Sequence, residues 1–274
     1  MKSRILFIAI ALIAASLSAG AQGLGPGGIK WLDIDKGVQV AYIQARLFNS
    51  TQSISMLRYP EKRQRLYVVN DPGADADSTG AMAARHKAIA AVNGSYFNMK
   101  TLEPTTYVKE KRRVEGSTSS NETFRTDGLL AIRGRKVDII RCDTQTCDAV
   151  AKQCSYVLAA GPVLLLDGWE ARDEWPSASF YTKRHPRTFV GTTNDGWVYL
   201  VVVDGRTPGQ ADGATIHETA QIAKLLGLDN AINLDGGGSS TLWTRSLGVI
   251  SNPCDNHRFD NVGQRRVPNI VMIK

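Results

Sequence analysis

The sequence predicts a strand-rich α+β domain, α/β in the broad sense, built on a mixed β-sheet with few helices. Three observations predict it. Short apolar runs rich in Val, Ile and Leu recur between clusters of Gly, Asn and Asp. Helical periodicity is confined to two segments. No internal repeat and no linker-like stretch divides the chain, so one domain is expected. The 274 residues are 43% hydrophobic and 22% charged, which excludes a disordered or fibrous chain and allows a sizeable core.

The N-terminus reads as an export signal. Lys2 and Arg4 precede the run Ile5 to Leu17, and Ala19-Gly20-Ala21 supplies a small-residue cleavage pattern. That run of 13 residues is short of the roughly 20 that span a bilayer. The reading is a signal over residues 1–21 and a domain over 22–274, exported to the periplasm or beyond, with no membrane span after processing. Removing the signal takes away two cations and no acid, so the formal charge falls from +7 to +5. The basic residues are scattered and do not alternate with aromatics, which argues against nucleic acid as a partner and leaves anionic small molecules.

Gln22 to Lys30 is a Gly/Pro-rich leader; Val38 to Ile43, Ser53 to Tyr59 and Leu66 to Val69 are strands. Ala81 to Ile89 is a short helix capped by Ser78 or Thr79, running into an apolar strand, Ala88 to Val92. Pro104 to Asp127 is long and polar, a candidate loop over a site. Leu129 to Ile132 and Val137 to Ile140 form a hairpin, and Tyr156 to Leu166 is an apolar stretch interrupted by Gly161-Pro162. Thr188 to Thr192 and Val198 to Val203 form a hairpin about Asn194-Asp195-Gly196, residues that tolerate the positive φ of tight turns. Thr215 to Leu226 is the best helix, ended by Gly227; Ala231 to Leu234, Leu242 to Trp243 and Pro268 to Ile273 complete the strands.

Four cysteines, Cys142, Cys147, Cys154 and Cys254, form an even set that favours disulfides, with three connectivities open. Their spacing fits no zinc site. Asp75 to Gly80 imitates the start of a calcium loop, but His86 stands where a bidentate Glu is needed. His86, His185 and His257 show no ligand spacing, and no nucleophile elbow is present. The residues require no cofactor, and a divalent metal is left open.

Three stretches place polar groups at strand ends: Asn93-Gly94-Ser95-Tyr96-Phe97; His185-Pro186-Arg187-Thr188 with Asp204-Gly205-Arg206; and Asn233 to Ser240. Gly236-Gly237-Gly238 implies positive φ or close approach, and successive N–H groups can cradle an anion. Asn233 and Asp235 alternate with Leu234, so both point to one face. Asp204 follows a strand apolar on both faces, and Arg206 offers a fork of donors. Glu218 either closes a capping box with Thr215 or is a half-buried acid.

Together these stretches resemble the phosphodiester glycosidase family, from about Ala88 to the C-terminus, in order and spacing as well as in letters. The resemblance implies hydrolysis of the glycosidic C–O bond of a sugar-1-phosphodiester of the N-acetylglucosamine-1-phosphodiester type, in polysaccharide or envelope metabolism. On this reading Asp235, Asp204 and Glu218 are the candidate catalytic carboxylates. Arg187, Arg206 and the Gly236, Gly237 and Gly238 turn, continued by Ser239 and Ser240, contact phosphate. Asn93 and Asn233 bind sugar hydroxyls or fix the carboxylates, and Tyr96 stacks on sugar or fills core. Two other classes stay open: a metal-dependent phosphodiesterase or phosphatase cutting P–O, and a noncatalytic exopolysaccharide binder.

Overall fold

Apolar runs joined by tight turns fold back on their neighbours, so the ladders between the strands below are antiparallel rather than mixed. A computed structural model describes residues 27–142 and 144–274. The expected signal and the first residues of the leader lie outside the described residues.

The largest sheet has eight strands, in the order Leu32–Asp35, Val38–Leu47, Ser50–Pro60, Trp197–Val203, Arg187–Thr192, Asn230–Asn233, Val163–Leu166 and Trp169–Glu170. A five-stranded sheet orders Lys136–Arg141, Gly128–Arg133, Tyr156–Ala160, Val108–Glu110 and Arg113–Glu115. A second five-stranded sheet orders Gly248–Val249, Leu242–Thr244, Ala90–Asn93, Asn269–Ile273 and Leu66–Asn70. All three present their inner faces to one core, where Leu57, Val202 and Ile232 meet Val92 and Val271 from one side and Leu130 and Leu158 from the other. One core makes one domain.

Each of these three sheets carries a helix on its outer face. Ile216–Leu225 covers the outer face of the large sheet through Ile216, Ala220, Ile222 and Ala223. Thr79–Arg85 does so for the second five-stranded sheet with Met82 and Ala83, and Thr144–Gln153 for the first with Val150 and Ala151. Covering on both faces is why Trp197–Val203 reads as an unbroken apolar run: Val198, Leu200 and Val202 face the common core, while Tyr199, Val201 and Val203 face the helix. Among the described residues, no helix is long and apolar enough to cross a membrane.

The expected strands and both expected helices form, with Ser78 capping the first helix and Thr215 the second. The Thr144–Gln153 helix was not foreseen, because its polar residues dilute the apolar period. Tyr156 to Leu166 is two strands in two sheets, the chain crossing between them at Gly161-Pro162. Pro104 to Asp127 is only partly loop, since Val108–Glu110 and Arg113–Glu115 form a hairpin that joins a sheet edge. Of the cysteines, Cys142 and Cys147 are disulfide-bonded, whereas Cys154 and Cys254 are buried as free thiols, so the even count does not translate into two staples.

Candidate functional site

Sheet registry brings the polar strand ends together. Arg187 pairs with Val203 and Phe189 with Asn233, so the strands carrying Arg187, Asp204 and Asn233 end on the same side of the large sheet. Asn93 ends the strand beside Asn269–Ile273 in the neighbouring sheet. The two sheets are tied at this point. The Asn93 amide donates to the Asp235 carbonyl at 2.7 Å, while its Oδ1 accepts from Thr188 Oγ1 at 2.8 Å and from the Thr241 N–H at 3.2 Å. The Asp235 N–H donates to the Gly94 carbonyl at 3.0 Å. Asn93 is fully buried, so it fixes the backbone of the carboxylate and does not meet a sugar.

Asn233 and Tyr96 are also framework. The Asn233 amide donates to Tyr96 Oη at 3.1 Å and to the carbonyls of Gly161 and Leu234 at 2.9 and 2.7 Å, and Tyr96 Oη donates to the Gly161 carbonyl at 2.5 Å. Burial pushes the Tyr96 hydroxyl up, so it stays protonated. The ring is buried and supports a cation: the Arg125 guanidinium lies 3.9 Å from its centroid.

Asp235 itself is half-buried beneath the glycine turn. Burial raises its pKa above the usual carboxylate value, opposed by the Ser239 hydroxyl, Arg125, the Gly236 amide and Arg265. Gly237 has φ 64° and its N–H donates to the Pro186 carbonyl at 2.9 Å. A methyl group there would lie 2.8 Å from Arg206 Nη2, and one on Gly238 would overlap Asp255 Oδ1 and Arg265 Nη2. The glycines therefore admit guanidinium groups flat against the turn. Ser239 and Ser240 are 1% exposed, directly behind it.

Three of the residues foreseen as chemistry are committed elsewhere. Arg187 is 2% exposed, with Nε donating to the Ala214 carbonyl at 2.9 Å and Nη2 to those of Phe180 and Lys183 at 2.7 and 3.1 Å. At most its Nη1 corner is left for an anion. Asp204 is 1% exposed; its carboxylate accepts from Ser53 Oγ at 2.6 Å and from the Asn252 N–H and amide, each at 2.8 Å. Burial raises its pKa against those same donors. A carboxylate so enclosed cannot reach a substrate.

Glu218 closes the capping box: its Oε2 accepts from the Thr215 N–H at 2.9 Å, and Arg184 grips it at 2.5–3.1 Å. Burial alone would raise its pKa, yet Arg184 and Thr215 prevail and hold it below the usual range. That is the signature of a cap and not of a general acid. We expect Glu218→Gln to leave turnover at the wild-type level, because Gln also serves at this position of the box. It loses at most about 1 kcal/mol at neutral pH. Since the depressed pKa stabilises only the ionised form, the gap between variant and wild type closes as pH falls through the folded-state pKa of Glu218. Thermal melts at neutral and acid pH check this.

Sequence reasoning missed Arg125, Arg265 and Asp255, which lie in segments without periodicity. Arg125 is anchored by Glu122 at 2.6 Å and comes from the Pro104 to Asp127 segment, which thus does reach the site. His185 is pushed down to about 4 by partial burial and by Arg187, Arg206 and Lys183, so it is neutral at physiological pH. Among the described residues no group of three or more His, Cys, Asp or Glu could hold a metal, so the three candidate carboxylates do not form one ligand set. A cavity of about 170 Å³ at the opposite strand ends, lined by Glu61, Lys136, Asn194 and Trp197 among others, contains none of these residues.

Comparison with known proteins places the chain among relatives of one family. The N-acetylglucosamine-1-phosphodiester alpha-N-acetylglucosaminidase of Mus musculus is 30% identical over 194 residues, 67% of this chain and 37% of that protein. The Homo sapiens protein of the same name is 25% identical over 231 residues, 76% of this chain and 43% of that protein. The chain thus spans less than half the length of these relatives. The zebrafish catalytic domain of that enzyme, auto-inhibited by its pro-peptide, shares the fold with a TM-score of 0.68 at 18% identity, over 86% of this chain and 82% of that one. A hypothetical protein from Synechocystis shares it with a TM-score of 0.66 at 14% identity, over 89% of this chain and 63% of that one. The family model for phosphodiester glycosidase matches residues 86–274, a span that takes in every side chain gathered around Asp235, and the chain belongs to that family.

Proposed function

We propose that the protein hydrolyses a sugar-1-phosphodiester at the glycosidic C–O bond, in the periplasm or outside the cell, acting on polysaccharide or envelope material. One observation carries the reading: the half-buried carboxylate of Asp235, its backbone held by Asn93, beside a glycine turn on which arginines lie. In the reaction the bond between sugar C1 and the phosphoryl oxygen breaks and its electron pair leaves with phosphate. Water bonds to C1 and gives up one proton, so the products are free sugar and a phosphomonoester.

Phosphate is a good leaving group, so the demand is for stabilised charge more than for a strong acid. Asp235 lies where it can stabilise an oxocarbenium-like transition state or take the proton from water. Arg206 is exposed beside the turn and suited to the departing phosphoryl oxygens. Tyr96 is buried, so the ring offered to sugar is that of Phe124, which is 52% exposed and next to Arg125.

The test is incubation with an N-acetylglucosamine-1-phosphodiester in oxygen-18 water, with and without chelator. Label in the sugar is the expected result. Label in phosphate makes the protein a P–O-cleaving phosphodiesterase, with loss of that turnover in chelator marking it as metal-dependent, and saturable binding without turnover makes it a polysaccharide binder.

A further inference from the structure

The segment from Ser251 to Arg266 takes no part in the sheets before its last residue, yet it is built with care. Asn252 pins its start to Asp204 by two hydrogen bonds of 2.8 Å. A bridge between Cys254 and Gly263 closes it, with the Asp255 N–H donating to the Gly263 carbonyl at 3.2 Å. The closed loop sets Arg265 against Asp255 in a two-pronged pair, Nε to Oδ2 at 2.9 Å and Nη2 to Oδ1 at 2.6 Å.

This pair lies on Gly238, where any side chain would overlap both groups, while Arg206 lies on Gly237. Two guanidiniums thus rest on consecutive glycines of the Asp235 turn, with Arg206 Nη1 3.9 Å from Cys254 Sγ in the same loop. Behind them the Ser240 hydroxyl is buried with no hydrogen-bond partner in the protein. The side chains of Arg265 and Asp255 are 21% and 35% exposed, too wet for the pair to contribute much stability. A fork aimed by a carboxylate at a turn that tolerates no side chain has another use.

We propose that Arg265, aimed by Asp255, is the second guanidinium of a phosphoryl-binding subsite shared with Arg206 across the Gly237-Gly238 turn. The inference rests on the phosphodiester reading of the site and deepens it. Asp255 occupies Nε and Nη2 on one edge of the fork, which leaves Nη1 and the outer N–H groups as donors. Arg265 then binds the anion, and Asp255 is a positioning residue. Asp204 supports both from a distance through Asn252.

The test uses Arg265→Met, Arg265→Lys, Asp255→Asn and the double variant Arg265→Met/Asp255→Asn, with Arg258→Ala as a control for charge on the same loop. Each is melted, titrated with inorganic phosphate by calorimetry, and assayed for kcat and KM. We expect Arg265→Met to weaken phosphate at least tenfold and to lower kcat/KM by about 100-fold, the scale of a lost preorganised donor. Lys restores only part, since a point charge cannot reproduce the fork. Asp255→Asn weakens phosphate alone but adds nothing in the Arg265→Met background, because it acts through that residue. Unchanged phosphate affinity in folded Arg265→Met or Arg265→Lys overturns the subsite, as does an additive double variant for the role of Asp255. Phosphate binding reads the subsite even if the sugar-1-phosphodiester is not turned over, so the two readings fail separately.

Discussion

Asp235→Asn is expected to lower kcat by on the order of 10³-fold, within the range for loss of a catalytic acid or base, while the protein melts no lower than wild type. The two effects share one cause. Ionised Asp235 is held in a partly desolvated place that raises its pKa, so its charge opposes folding. For a raised carboxylate the folded state holds its proton to higher pH than the unfolded chain does. Stability attributable to Asp235 is therefore greatest in acid and declines as pH rises through its folded-state pKa. Activity runs the other way. The ionised form does the work, so kcat falls as pH drops, and the acid limb lies above the ordinary aspartate value of about 4. Arg125 holds that limb down, and Arg125→Met moves it to higher pH. A pH–rate profile with melts across the same range checks both signs; full activity in a folded Asn variant would remove Asp235 from the chemistry.

Asp204→Ala is expected to be the most destabilising single change among the site residues, by roughly 3 kcal/mol or more, because several buried donors lose their acceptor at once. Ser53 Oγ and both donors of Asn252 converge on this carboxylate. Asn is no rescue. Its NH₂ group meets the Asn252 amide or the Asn252 N–H, donor against donor, in place of an acceptor. Denaturant titration of both variants measures the loss. An Asp204→Asn protein as stable as wild type but inactive would return Asp204 to the catalytic list. Partial loss of kcat in proportion to loosened phosphate binding fits its role as anchor of the Ser251 to Arg266 loop.

The two predictions separate residues that the sequence presents together as candidates. Asp204 and Asp235 each follow an apolar run and precede a glycine, and both are candidate catalytic carboxylates although Asp235 alone alternates with a second polar residue and opens a triple-glycine run. Their difference is whether Asn252 and Ser53 come to meet the side chain, a matter of segments some 48 and 151 residues away. Arg187 and Arg265 reversed their expected standing for the same reason. Arg187 sits in a legible motif and spends its fork on backbone carbonyls; Arg265 sits in an unpatterned loop and reaches the turn.

What the sequence by itself determined is local. The hairpin about Asn194-Asp195-Gly196, the capping box of Thr215 and Glu218, and the glycine run that admits close neighbours are each decided within a few residues, since φ preferences and short side chains act at that range. Alternation of Asn233, Leu234 and Asp235 predicts two polar side chains on one face, but Asn233 is fully buried and turns inward to Tyr96, while Asp235 is only half-buried. Only the tertiary structure decided which arginines face the carboxylate, which acid is half-buried and which is enclosed, and which cysteines pair. A guanidinium lies many bonds from its own backbone, so its place is set by whichever carbonyl, carboxylate or glycine the packing of distant strands brings within reach.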